Sequence, residues 1–138
     1  MTKKALSNIQ VAERQLTMAL RIYFEDQDYV SAITLAGAAE EILGKILMKS
    51  DSPNAMDMYI SAMHNVDEIF GGEPSDEKEY RKELNRIRNT MKHMAVDGVI
   101  IDDIKYESQV MIDRAITNWR ALNRPLSPSM EEFLARDD

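Results

Sequence analysis

Cysteine is absent from the 138-residue chain, which excludes disulfides, thiol nucleophiles and cysteine-ligated metals. Glycine (5) and proline (4) are scarce, so long helices are favoured over turn-rich sheet. No Gly-rich phosphate loop is present, because Gly71-Gly72 lacks the Lys and Ser/Thr that complete a P-loop. No serine sits in a nucleophile motif. No apolar run approaches the roughly 20 residues needed to span a bilayer, and "MTKKALSNIQ" has no secretory apolar stretch. The expectation is a cytoplasmic protein with no membrane partner. Cations are also in deficit: 17 Lys and Arg face 24 Asp and Glu, for a net charge of −7 and a pI near 4.9. Such a surface does not coat nucleic acid generally, since non-specific affinity comes from cations neutralising phosphates. It leaves room for one local phosphate site.

What is present reads as helix. Apolar residues make up 44% and charged residues 30%, a globular balance, and the length suits one domain. Over 3–24, Ala5, Ile9, Ala12, Leu16, Ala19 or Leu20, and Tyr23 recur at helical spacing. "EDQD" (25–28) interrupts them and offers Asp26 or Asp28 as the cap of a second helix running to about Lys49. That helix presents Ala32, Leu35, Ala36, Ala39, Ile42, Leu43 and Ile46, with a small-residue centre, "LAGAAEE", that lets another helix approach. A third helix is predicted over 54–70, capped by Ser52 or Asp51 with Pro53 at its first position. Met56, Tyr59, Ile60, Met63, Val66 and Phe70 point inward, and Gly71-Gly72 ends it.

A fourth helix carries the stripe Tyr80, Leu84, Ile87, Met91 as far as "AVDGVIID". Asp102 or Asp103 caps a fifth, with Ile104, Met111, Ile112, Ala115, Ile116 and Trp119 inside. The expected fold is all-α: an up-and-down bundle of about five helices over residues 1–122, then a Pro-containing tail over 123–138 with one short helix from about Ser129.

The fourth helix concentrates positive charge. Between residues 78 and 93 six cations face two glutamates, a local net charge of +4, so the rest of the chain carries −11. At about 100° per residue, Lys82, Arg86, Asn89 and His93 fall opposite the apolar stripe. Asn89 and His93 are four apart and can meet. Arg88 lies about 140° from His93 on a regular helix. It converges on His93 only through its long side chain, a helix distortion near Asp97-Gly98, or a partner subunit.

The hexapeptide Arg88-Asn89-Thr90-Met91-Lys92-His93 resembles the R-N-x-x-x-H signature of HEPN domains, small helical bundles found in prokaryotic defence and toxin systems. "DYVSAITLAGAAEEILGKIL" is similar to the family's second helix, and the likeness extends over roughly 5–122. The resemblance implies a homodimer whose two motifs meet, acting as a metal-independent endoribonuclease with no cofactor. In that scheme His93 moves protons at the ribose 2′-hydroxyl or leaving 5′-oxygen, which its ordinary pKa near 6.5 suits. Arg88 binds and stabilises the phosphate with its planar donor fork, and Asn89 orients His93 or donates to the phosphate. Lys82, Arg86 and Lys92 supply flanking charge for RNA or nucleotide. The toxin branch also implies a nucleotidyltransferase-like partner that modifies a tyrosine two places after the histidine; Ala95 stands there instead. The rival reading is a non-catalytic module binding nucleotide, RNA or protein in the same groove. A third is a motif that only holds a dimer together.

Other residues carry structural readings first. Glu40 sits at the edge of the second helix's apolar face and needs a cationic partner. The basic fourth helix offers one, either as a structural salt bridge or beside the motif. His64 with Asp67 or Glu68 has metal-ligand spacing, but nothing in the sequence completes such a site, and no metal is expected. Met56, Met58 and Met63 suit core or interface packing, and Trp119 suits core.

Overall fold

Ser7 starts the first ordered element. Its hydroxyl accepts the Gln10 amide at 3.2 Å while the Gln10 side chain accepts the Ser7 amide at 2.8 Å, a reciprocal capping box. The computed structural model describes residues 5–71, 76–86 and 103–137. Among them are six α-helices: α1 (Asn8–Arg21), α2 (Tyr29–Lys49), α3 (Ala55–Ile69), α4 (Glu77–Leu84), α5 (Ile104–Ala121) and α6 (Pro128–Leu134). No strand occurs among the described residues. The fold is an all-α helical bundle. No helix among these residues is long and apolar enough to cross a membrane.

The first helix therefore begins five residues later than its apolar spacing suggests, because Ser7 and Gln10 satisfy the terminal amides there. It also runs further. Ile22–Asp26 forms a π-helical turn before Gln27 enters the left-handed region at φ 53°. The extra residue in that turn lets adjacent rings reach one target: Tyr23 and Phe24 lie 5.4 and 6.5 Å from Phe133 of α6. Asp28 then caps α2, accepting the Ser31 amide at 3.2 Å and the Ser31 hydroxyl at 2.5 Å. These two hydrogen bonds hold the Asp28 carboxyl below its usual pKa.

α2 is the central helix, packed chiefly against α5 and α1. Besides the expected alanines and Leu43, it buries Ile33, Gly37, Glu40, Gly44 and Leu47. Its small residues permit this, since α5 approaches close enough for Asn118 Nδ2 to donate to the Glu40 carbonyl at 3.0 Å. The main core joins Leu16, Leu20, Leu43, Ile112, Ile116 and Trp119 with Met130 and Phe133 of α6. The C-terminal helix thus packs into the same core as α1, α2 and α5. Ser127 caps it, and Trp119 Nε1 donates to the Pro125 carbonyl at 2.9 Å in the lead-in.

The third helix departs from expectation at both ends. Asn54 is its cap, exchanging hydrogen bonds with Asp57, and Pro53 lies in the lead-in. The Asn54/Asp57 pair wins because it satisfies amides at both residues, and Asn118 Oδ1 takes the next one, Ala55 N–H, at 2.7 Å. At the far end Val66 and Phe70 are 50% and 83% exposed rather than inward. Among the described residues α3 meets α4 and α5, so only Met56, Ile60 and half-buried Met63 pack on Tyr80 and Leu84. Gly71 closes the helix at φ 74°, as the Gly-Gly pair suggests.

Candidate functional site

α4 leads into the basic motif. Asp76 caps it, accepting the Glu79 amide at 2.9 Å. Tyr80 is buried, and its hydroxyl donates to the Asp67 carboxylate of α3. Arg81 bridges to Asp57 of α3 at 2.8 Å and to Glu77 at 2.7 Å. The hydrogen bond Arg81 donates to Glu77 raises its pKa most; burial opposes this, and the bond donated to Asp57 adds to the rise. One flank of α4 is therefore fastened to α3.

Lys82 and Arg86 are exposed, as their helical phase requires. Arg86 Nε lies 3.5 Å from Glu83 Oε1, with the two side chains 51% and 70% exposed. Such a solvated pair contributes about 0–1 kcal/mol. Lys82, Arg86, Glu79, Glu83, Tyr80 and Met63 line an open groove of about 470 Å³. Arg88, Asn89, Lys92 and His93 lie outside the described residues, as do Ile87, Met91 and Ala95.

The helix does not run unbroken into the motif. It closes at Leu84, with Asn85 as its cap at φ −103°, ψ 1°. Asparagine favours such positions because its side chain competes with helical backbone bonding.

What stands at this break is a buried cation. Arg114 of α5 is 0% exposed, and its Nη1 donates to the Leu84 carbonyl at 2.9 Å. Its Nη2 donates to Asn85 Oδ1 at 3.0 Å and to Glu40 Oε1 at 3.1 Å. Glu40 is 3% exposed, so this is an ion pair inside the bundle. A cationic partner of Glu40 comes from α5, an element the sequence reading did not name for it. The reason is placement: α2 packs most heavily on α5, and its Glu40 level faces Arg114 and Asn118. Yet the pair does reach α4, because the same guanidinium grips its last carbonyl. Nearby, half-buried Tyr59 has its pKa raised by burial first and by the Asp113 carboxylate second.

Sequence reasoning missed Arg114 and Asn118. Both lie one helical turn apart, beside the Met111/Ala115 stripe, and Glu40 on an apolar face was itself the signal that a cation had to be inside. His64, read from its spacing as an incomplete metal-ligand pair, lies beside Glu68 on α3. Its Nδ1 is 3.9 Å from Glu68, Asp67 is engaged by Tyr80, and no group of three metal-ligating side chains occurs among the described residues.

The fold and this geometry define an all-helical bundle with a basic helix end fastened over a buried Glu–Arg pair. Comparison of the chain with protein-family models, curated proteins and solved structures returned no match.

Proposed function

We propose that the chain is a HEPN-like, metal-independent endoribonuclease of the cytoplasm, working as a homodimer in a defence or toxin–antitoxin setting. Arg88 holds the scissile phosphate, His93 moves protons at the 2′-hydroxyl or leaving oxygen, and Asn89 orients the histidine. Cleavage by the neighbouring hydroxyl leaves a 2′,3′-cyclic phosphate. Lys82, Arg86 and Lys92 draw the backbone in. The observation that carries this reading is the hexapeptide Arg88–His93 placed directly after a basic, anchored helix end in a helical bundle. Lys82 and Arg86 support it by lying exposed on that helix.

The net charge of −7 favours a second reading, a module of the same build that binds nucleotide, RNA or a protein partner such as a nucleotidyltransferase-like enzyme without cutting. Assembly and phosphate contact test the first reading together. Light scattering at micromolar concentration gives about twice the 15.8 kDa chain mass, and Arg88→Ala weakens both RNA binding and turnover. A strict monomer contradicts the composite site. RNA binding that depends on Arg88, with no cleavage by the unaltered protein, selects the second reading.

A further inference from the structure

We propose that the cleft bounded by the π-helical turn, the start of α2, the first turn of α5 and the segment after α6 binds a small aromatic carboxylate. The inference goes beyond the proposed function and uses none of its residues.

Three observations carry it. The first is the lining. A cleft of about 240 Å³ is walled by three rings, Tyr23, Phe24 and Tyr29, together with Gln27, Lys105, Arg136 and Asp137. Ligand sites commonly join such an apolar wall to a few polar groups that fix orientation. At roughly 30 Å³ per liquid water, the space equals about eight water molecules. That is room for one ring and its carboxylate, and too little for a nucleotide.

The second is what the fold already asks of these side chains. Core packing accounts for Tyr23, whose ring lies 5.4 Å from Phe133 and 5.6 Å from Tyr29 and whose hydroxyl accepts from Gln109 Nε2 at 2.8 Å. Arg136 is held as well, its Cζ 3.9 Å from the Phe133 ring centroid and its Nη1 donating to the Phe133 carbonyl at 2.8 Å. A planar cation fixed in this way loses little further freedom on meeting an anion. Lys105, the Tyr29 hydroxyl and the Gln27 amide group make no hydrogen bond or ion pair with another described side chain. A cation, a hydroxyl and an amide that the fold does not use thus border one cleft.

The third is the backbone. Gln27 is one of three non-glycine residues with positive φ, and Asp51 and Asn123 are of types that enter this region readily. Glutamine is not, and glycine would stand there without strain. Gln27 also follows directly on the π-helical turn, an element frequent at functional sites. Retaining glutamine at a costly position makes sense if its amide is used.

The charge balance sets the class of ligand. Lys105 and Arg136 face one carboxylate, Asp137, so the lining suits a singly charged acid better than a phosphate dianion. The rings favour a flat apolar body.

The test titrates the full chain with 4-fluorobenzoate, read by fluorine NMR. Saturable binding is expected with a dissociation constant of about 1 mM or tighter, the range open to a ligand of this size. Uncharged 4-fluorobenzamide binds about tenfold more weakly. So does 4-fluorobenzoate to Lys105→Ala, which removes one charge-assisted contact. Tyr29→Leu weakens binding about threefold by removing a ring. Gln27→Gly melts no lower than the unaltered protein yet binds about threefold more weakly, a split that a purely structural glutamine does not produce. Lys49→Ala, at the opposite end of α2, leaves the affinity unchanged. Far-UV circular dichroism checks that each variant is folded. Absence of saturable binding by the unaltered protein overturns the proposal. Equal affinity for the amide overturns it too, as does an affinity indifferent to both Lys105→Ala and Tyr29→Leu. Inorganic phosphate that displaces the acid at equal concentration overturns the assignment to an aromatic carboxylate.

Discussion

Arg114→Ala lowers the unfolding free energy by about 3–5 kcal/mol, the usual cost of removing one member of a buried ion pair. The loss has identifiable parts. Glu40, 3% exposed, loses the Arg114 guanidinium from its carboxylate. The Leu84 carbonyl and Asn85 Oδ1 lose their donor, and the space of a side chain that is 0% exposed is left empty. Against a total stability of about 5–15 kcal/mol for a domain, the variant is expected to unfold at much lower denaturant. Urea titration followed by circular dichroism reads the effect. A loss below about 1 kcal/mol contradicts the burial of the pair. Surface pairs such as Arg86–Glu83, with side chains 51% and 70% exposed, set the contrast: Glu83→Gln changes stability by less than about 1 kcal/mol.

His93→Ala lowers RNA cleavage by about 10²–10⁴-fold, the usual contribution of a positioned general acid or base. The substitution is expected to leave RNA binding largely intact, because in the proposed scheme the flanking cations Lys82, Arg86, Arg88 and Lys92 carry the phosphate contacts. In the unaltered protein the rate changes with pH near neutrality, following histidine titration. The dependence disappears with the imidazole. Initial-rate measurements on matched, purified proteins separate the outcomes. Cleavage that survives His93→Ala assigns the proton transfers to another group.

Much of the architecture was legible because capping chemistry is local. Asp28 and Asp103 start helices as the sequence suggests, and Gly71 ends one. The stripe from Met111 to Trp119 is buried as its spacing requires. The failures come from interactions that spacing does not encode. Asn54 displaced Ser52 and Asp51 as a cap because Asp57 and Asn118 both reach the start of α3. Phe70 looked inward by period, but no helix among the described residues covers that end of α3, and it is 83% exposed. α4 closes at Leu84 with Asn85 as its cap, where the sequence shows only a continuing stripe, and the Arg114 side chain from α5, 29 residues away, donates to Asn85 Oδ1 there. At the candidate site, the solvated positions of Lys82 and Arg86 followed from helical phase. The need of Glu40 for a cation was visible too. That Arg114 supplies one was not, since it sits 74 residues away and only packing of α2 on α5 brings them together.

The end group left on RNA by the unaltered protein tests the central claim most directly. The proposed chemistry needs a 2′-hydroxyl beside the phosphate and no metal. An RNA oligonucleotide incubated with the pure protein in excess EDTA is therefore expected to be cut, with a 2′,3′-cyclic phosphate on the 5′ fragment by mass spectrometry, while DNA of the same sequence stays whole. Intact RNA under all conditions, or cleavage that stops in EDTA or extends to DNA, contradicts the account.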